Sequence, residues 1–275
     1  MRQRATSAAI LVPLLLIVVA LGGVALSAAI VVLTVLAARE VFTLLRAAGH
    51  PALSGLGSVL ALTVILDAAV PNVLEGSGLL LIAIGVVLVA AAAFTRTDPR
   101  DGLATWMATL FGAIYVSLLA FVVRLGYAGP TPPDSAPLAV LGAERGWIVL
   151  LILAVWSYDT GAYLVGRRFG RERFLTHISP SKTYAGLVGG IVATTVVVGL
   201  VLYGLGTTPI HAIVLGPLVA LAAQAGDLAE SMLKRAANAK DSGTLIPGHG
   251  GILDRVDSFL FAAPVMTLYV LAVIA

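Results

Sequence analysis

The sequence predicts an all-α polytopic membrane protein of about nine transmembrane helices, with the N-terminus cytoplasmic and the C-terminus outside. Three observations carry this. Of 275 residues, 59% are hydrophobic and only 11% charged, whereas a soluble domain carries about 25% charged residues. Charge-free runs recur at the length of about 20 residues that a helix needs to span a bilayer. The cations gather in alternate loops. Cysteine is absent, which excludes a disulfide scaffold. The net charge of +3 is a small imbalance, and no nucleic-acid partner is expected.

Runs free of Asp, Glu, Lys and Arg occupy 5–38, 47–66, 76–95, 102–123, 183–226 and 258–275, and 146–158 continues past Asp159 to Val165. The first run, at about 1.5 Å per residue, is too long for one helix, and Gly22-Gly23 is a natural break, giving spans near 6–21 and 24–45. The opening residues, closing on Ala25-Leu-Ser-Ala28, also resemble a cleavable secretory signal. The unbroken apolar sequence to Ala38 favours a retained first helix. Spans near 52–69, 77–94 and 102–124 follow. Tyr127 to Gly146, with Pro130, Pro132, Pro133 and Pro137, reads as an irregular connector. The sixth span, 147–166, contains Asp159. The run 183–226 breaks at Gly204 to Pro209, giving 184–203 and 210–235, and the last span is 258–275. This order divides the chain into N-terminal helices over 1–145 and a catalytic region over 146–275.

Loop charges test the order. With the N-terminus inside, 15 of the 17 Lys and Arg residues fall on the cytoplasmic side; Arg124 and Arg145 fall outside. That is the positive-inside asymmetry.

Carboxylates within apolar helices are costly, about 2.5–3.5 kcal/mol at the bilayer centre. Asp159, Asp227 and Glu230 are such residues, and they point to a polar cleft open to the cytoplasm. Asp227, Glu230, Ser231 and Lys234 are spaced i, i+3, i+4, i+7, which puts them on one helix face. The segment from Lys234-Arg235 through Lys240-Asp241 to Pro247-Gly-His249-Gly-Gly251 and Asp254-Arg255-Val-Asp257 interleaves cations, carboxylates and glycines. Glycine backbone admits phosphate oxygens closely, Lys and Arg neutralise them, and Asp holds the accompanying Mg²⁺. The parts of a nucleoside-triphosphate site are therefore present. A second loop holds Arg167, Arg168, Arg171, Arg173 and His177, a cluster suited to anionic lipid. It ends in Ser179-Pro-Ser-Lys182-Thr183, hydroxyls around a lysine at a helix start. Gly161 to Gly166 has P-loop glycine spacing but lacks the Lys-Ser/Thr and the preceding strand. Gly186-xxx-Gly190 reads as helix packing.

The string Ser231-x-Leu-Lys234-Arg235, Lys240-Asp241, Pro247-x-His249-Gly-Gly and Leu253-Asp254-Arg255-x-Asp257 resembles the signature of the phosphatidate cytidylyltransferases (CDP-diacylglycerol synthases). Gly226-Asp227-Leu-x-Glu230-Ser, Asp159-Thr-Gly-Ala-Tyr163, Gly166-Arg-x-Phe-Gly170 and Ser179-Pro-x-Lys182-Thr183 match as well. The motifs span roughly the last 120 residues; the first five spans match only in general character. Ala185 stands where the family commonly has glutamate, and Ala223-Gln224 where it often has Ser-Gln.

The resemblance implies transfer of cytidylate from CTP to phosphatidic acid, giving CDP-diacylglycerol and pyrophosphate, at a site facing the cytoplasm in the inner membrane. It implies Asp227 and Asp254 as ligands of Mg²⁺, with room for a second cation and with Asp257 behind them. Lys182, Lys234, Arg235, Lys240 and Arg255 would contact phosphates, and His249 phosphate or nucleotide. Ser179, Thr183, Ser231 and Asp241 would bind substrate, while Asp159 and Glu230 would line the cleft. A homodimer is compatible with this reading. A transferase acting on another lipid phosphate is the alternative within enzymes. A CDP-alcohol phosphotransferase lacks its Asp-Gly-x-x-Ala-Arg motif here. A transporter would show repeated halves with binding residues near the midplane, whereas these charges crowd the second half.

Overall fold

The computed structural model describes residues 2–70, 78–248 and 250–275, with side chains at Ser7 and from residue 9 onward. Among the described residues it is helical, with two isolated bridges, Arg173 to Thr183 and Ile246 to Gly250, and no strand. The helices are α1 (Arg2–Leu21), α2 (Gly23–Ala47), α3 (Ser54–Ala69), α4 (Gly78–Ala93), α5 (Pro99–Ser117), α6 (Ala120–Ala128), α7 (Gly142–Phe169), α8 (Tyr184–Gly204), α9 (Ala212–Ala236) and α10 (Leu253–Tyr269). A π-helical turn, Val270–Ile274, prolongs the last.

Among the described residues, six stretches are long and apolar enough to cross a membrane: Gly23–Ala47, Pro99–Ala128, Ala139–Phe169, Tyr184–Gly204, Pro209–Ala236 and Leu253–Ile274. Ala9–Leu21, Ser54–Ala69 and Gly78–Ala93 are apolar but shorter. The chain is an integral multi-pass membrane protein.

Local chemistry explains most boundaries. Gly22 and Gly23 both have positive φ (62° and 48°), which breaks the helix where α1 gives way to α2. α5 begins at Pro99, three residues earlier than the charge-free run, because Asp98 accepts from the Arg100 amide at 2.8 Å and Pro99 suits the first turn. The fifth apolar stretch is broken at Leu118-Leu119 into α5 and α6. α8 stops at Gly204, and Gly206 turns the chain at φ 72°. The departure that bears on the motif residues concerns the last helix. It starts at Leu253 rather than 258, so Asp254, Arg255 and Asp257 belong to its first turns and not to a loop. Carboxylates favour a helix N-terminus, where the amide dipoles point outward.

The chain forms two compact units, and chain order does not separate them. One comprises Met1–Val123 with Met232–Val256; the other comprises Arg124–Ser231 with Asp257–Ala275. In the first, α2, α3 and α5 pack together around Phe42, which is fully buried. Gly57 on α3 and Gly112 on α5 lie flat against its ring, where a Cβ would collide. In the second, α7 packs along α8. Gly161 faces Ala193 and the Gly189 carbonyl, Gly189 faces Val165, and Gly190 faces Tyr158. Lipid tails are as apolar as leucine, so helices associate through close packing, and small residues permit it. Trp147, wholly buried near the start of α7, donates its indole N–H to the Pro130 carbonyl at 3.1 Å, which ties the proline-rich connector to this unit.

The α7–α8 contact yields a prediction. A Cβ at Gly161 would stand 2.8 Å from the Gly189 carbonyl oxygen, so Gly161→Val must push two backbones apart. Overpacking costs about 1–3 kcal/mol, and thermal melting in detergent should fall by several degrees. Gly55→Ala, which meets nothing within 4 Å, should leave the melting temperature unchanged or slightly raised.

Candidate active site

The signature residues fall into two clusters, one in each unit. In the second unit the segment after α7 folds back on itself. Phe174 N–H donates to the Lys182 carbonyl at 3.2 Å, and Tyr184 N–H donates to the Glu172 carbonyl at 3.1 Å. The Phe174 and Tyr184 rings sit 5.2 Å apart. This reversal delivers Lys182 to the start of α8. Thr183 is the N-cap of α8, its hydroxyl accepting from the Gly186 amide at 3.1 Å. Ser179 is half-buried in the turn before it.

Lys182 Nζ forms an ion pair with Asp227 Oδ2. Both side chains are about a quarter exposed (23% and 25%), so this pair remains reachable from outside. Ser231, one turn on, places its hydroxyl 3.5 Å from Asp227 Oδ1, at the outer limit of a hydrogen bond. Asp159 is exposed on α7; its neighbour Tyr158 is buried and donates its hydroxyl to Gln224 on α9. Gly226 packs against the backbone of Asp257 and Ser258, so the Gly-Asp pair of the motif includes a residue that lets α9 and α10 approach. Asp257 accepts from the Ser258 amide at 2.7 Å. One expectation is corrected here. Glu230 is fully buried, so it does not line an open cleft. Its i+3 offset from Asp227 turns it into the helix packing.

In the first unit the glycine-rich loop folds around Asp254. Oδ1 accepts from Lys234 Nζ at 2.6 Å. Oδ2 accepts from the Ser242 amide at 2.9 Å and the Gly251 amide at 2.8 Å, and the Ser242 hydroxyl lies 2.9 Å from it. The Lys234 and Asp254 side chains are only 11% and 7% exposed. The stem of the loop closes through Ile246 N–H donating to the Gly250 carbonyl at 2.9 Å, with Gly248 and Gly250 at φ 77° and 80°. Around this frame opens a cavity of about 560 Å³, lined by Lys240, Asp241, Thr244, Gly248, Gly250 and Arg255 among others. Lys240, Asp241 and Arg255 are exposed. Arg235 is turned to the end of α9, donating to the Ala239 carbonyl at 3.0 Å. His249 lies outside the described residues.

Two contacts were not foreseen. Ser7 on α1 donates its hydroxyl to the Pro247 carbonyl at 2.8 Å. Glu40 on α2 accepts from the Ile252 and Leu253 amides. A carboxylate inside the second apolar span was the available signal for Glu40; no sequence signal marks Ser7.

Among the described residues no group of three His, Asp or Glu side chains is disposed to hold a metal ion. Mg²⁺ bound with substrate phosphates needs only one or two carboxylates. Asp227, partly exposed and facing an ammonium, suits that role: a divalent cation can stand where the lysine now stands. Asp254 suits it less, because Oδ2 already faces three donor groups and only Oδ1, held by Lys234, could turn to a cation.

Comparison with known proteins agrees with this arrangement. Residues 2–273 match the Cytidylyltransferase family. A phosphatidate cytidylyltransferase of Synechocystis is 33% identical over 288 residues, covering 98% of this chain and 96% of that protein. Proteins of the same name from Staphylococcus aureus and Bacillus subtilis are 43% and 42% identical over 124 and 120 residues, covering 44% and 43% of this chain and 48% and 45% of their own length. With similarity running the length of the chain, this protein belongs to the cytidylyltransferase family.

Proposed function

We propose that the protein transfers cytidylate from CTP to phosphatidic acid, producing CDP-diacylglycerol and pyrophosphate. The observation that supports this most is the cavity walled by Lys240, Arg255 and glycine backbone in a chain similar along its length to a protein named for that reaction. We further propose nine spans with the N-terminus and the site on the cytoplasmic side of the inner membrane, and the C-terminus outside.

In the reaction a phosphatidate oxygen attacks the α-phosphorus of CTP. One P–O bond forms, the bond to the β-phosphate bridging oxygen breaks, and pyrophosphate departs with the electron pair. The nucleophile is already an anion, so little base assistance is needed. The barrier lies in bringing two polyanions together in line and stabilising the leaving group. Lys240 and Arg255 neutralise the triphosphate in the cavity. Gly248 and Gly250, in conformations side chains rarely adopt, let backbone approach phosphate oxygens. Lys182 and Asp227 form the second charged pair, with Asp227 the carboxylate suited to Mg²⁺. Mg²⁺ supplies charge neutralisation and orientation of phosphate oxygens when bound. Asp254 acts first on the loop: it joins Ser242 and Gly251 to Lys234. His249, from its place in the motif, contacts phosphate or base.

Purified protein in detergent, given Mg²⁺, phosphatidic acid and CTP, should yield CDP-diacylglycerol and pyrophosphate. Absence of product, or equal turnover with ATP, contradicts the proposal. Asp254→Asn strands the buried Lys234 ammonium, and breaking a buried pair costs about 3–5 kcal/mol. That variant should lose both turnover and melting temperature. Asp227→Asn removes a partly exposed carboxylate and should retain its melting temperature, with turnover lost or shifted to much higher Mg²⁺. A tag placed after Ala275 should be accessible only from outside the cell.

A further inference from the structure

Glu40 stands on α2, among helices where nothing in the motifs points to chemistry. Its carboxylate is nevertheless built into the glycine-rich loop more than 200 residues away. Oε1 accepts from the Ile252 amide at 3.0 Å, and Oε2 accepts from the Leu253 amide at 2.8 Å. The Ser242 hydroxyl lies 2.8 Å from Oε2 and 2.9 Å from Asp254 Oδ2. A hydroxyl has one proton to give, so Ser242, lying between the two carboxylates, donates to one of them at a time. Ile252 closes the loop and Leu253 opens α10. Glu40 thus caps the N-terminus of one helix from the side of another, placing a negative charge where the helix dipole favours it.

The glycines corroborate this arrangement. A Cβ at Gly243 would stand 2.6 Å from Glu40 Oε1, and one at Gly251 would collide with Oε2 and with the Ser242 hydroxyl. Gly243 and Gly251 therefore leave room for the chain's own carboxylate. Among the described residues, Gly248 and Gly250 are those that combine positive φ with a place in the cavity wall.

We propose that Glu40 is a positioning residue for the nucleotide, holding the backbone at both ends of the loop so that Lys240, Gly248, Gly250 and Arg255 keep a cavity shaped for the triphosphate. The proposal rests on the nucleotidyltransferase reading above. Glu40 acts through Ser242, Ile252 and Leu253 and touches no reacting atom.

The test compares wild type with Glu40→Gln and Gly251→Ala, varying CTP and phosphatidate separately. Glutamine replaces one acceptor oxygen with an amide that cannot accept, so at least one of the three donors loses its partner. kcat/KM for CTP should fall roughly tenfold or more, the worth of one hydrogen bond to a charged group, while KM for phosphatidate stays unchanged. Amide hydrogen exchange should quicken within 241–253 and nowhere else. Gly251→Ala, which displaces the carboxylate, should reproduce both effects. Wild-type kinetics and exchange in both variants would overturn the proposal, as would equal losses for both substrates with faster exchange throughout the chain. If Glu40→Gln does not fold, Ser242→Ala removes a single donor and must show the same localised exchange and CTP effect. A wild-type protein without CTP turnover would instead defeat the nucleotidyltransferase reading itself.

Discussion

A carboxylate within a membrane protein has to be neutralised where it stands, because moving a charge out of water costs several kcal/mol. Asp254 meets that constraint with one ammonium, two backbone amides and one hydroxyl. These groups come from α9, from the start of the glycine-rich loop and from its end. Satisfying one charge therefore fixes three stretches of chain at once. The loop owes its course to this arrangement: its entry at Ser242 and its exit at Gly251 are both tied to the same oxygen. Between them, Gly243, Thr244, Ile246, Pro247, Gly248 and Gly250 line the cavity.

The same economy governs the second acidic motif. Asp227 and Lys182 come from α9 and from the turn before α8, and each neutralises the other in a partly exposed pair. The two lysine–carboxylate pairs differ in burial, and that difference assigns them different work. The Lys234–Asp254 pair, nearly closed off, holds structure. The Lys182–Asp227 pair stays partly exposed and reachable from outside. The exposed cations Lys240 and Arg255 lie in the cavity wall.

Much of this was legible in the sequence. Gly22-Gly23 as a helix break, the interruption after Gly204 and the close packing at Gly186 and Gly190 all follow from residue chemistry acting over a few positions. The motif residues were legible as well, because paired cations and carboxylates are rare in apolar sequence. What escaped depends on contacts across long separations. Composition draws the last helix from the end of the charges, at 258, whereas Glu40 and Asp254 together allow α10 to begin at Leu253. Glu40 itself read as an unremarked residue near the end of an apolar run, since its donors lie beyond position 240. Glu230 shared a helix face with Asp227 on spacing alone, but packing decides which part of that face is open. The glycines of the loop read as making room for phosphate, and Gly243, Gly250 and Gly251 make room for carboxylates of the chain.

The central claim is that this fold transfers a nucleotidyl group, not a phosphoryl group, to a lipid phosphate. The most direct measurement follows the fate of individual phosphates, with CTP radiolabelled at either the α or the γ position and the lipid product separated. The account predicts that α-label enters the lipid in equal proportion to pyrophosphate released, and that γ-label appears only in pyrophosphate. Label from the γ position in the lipid would show a kinase, and would contradict it.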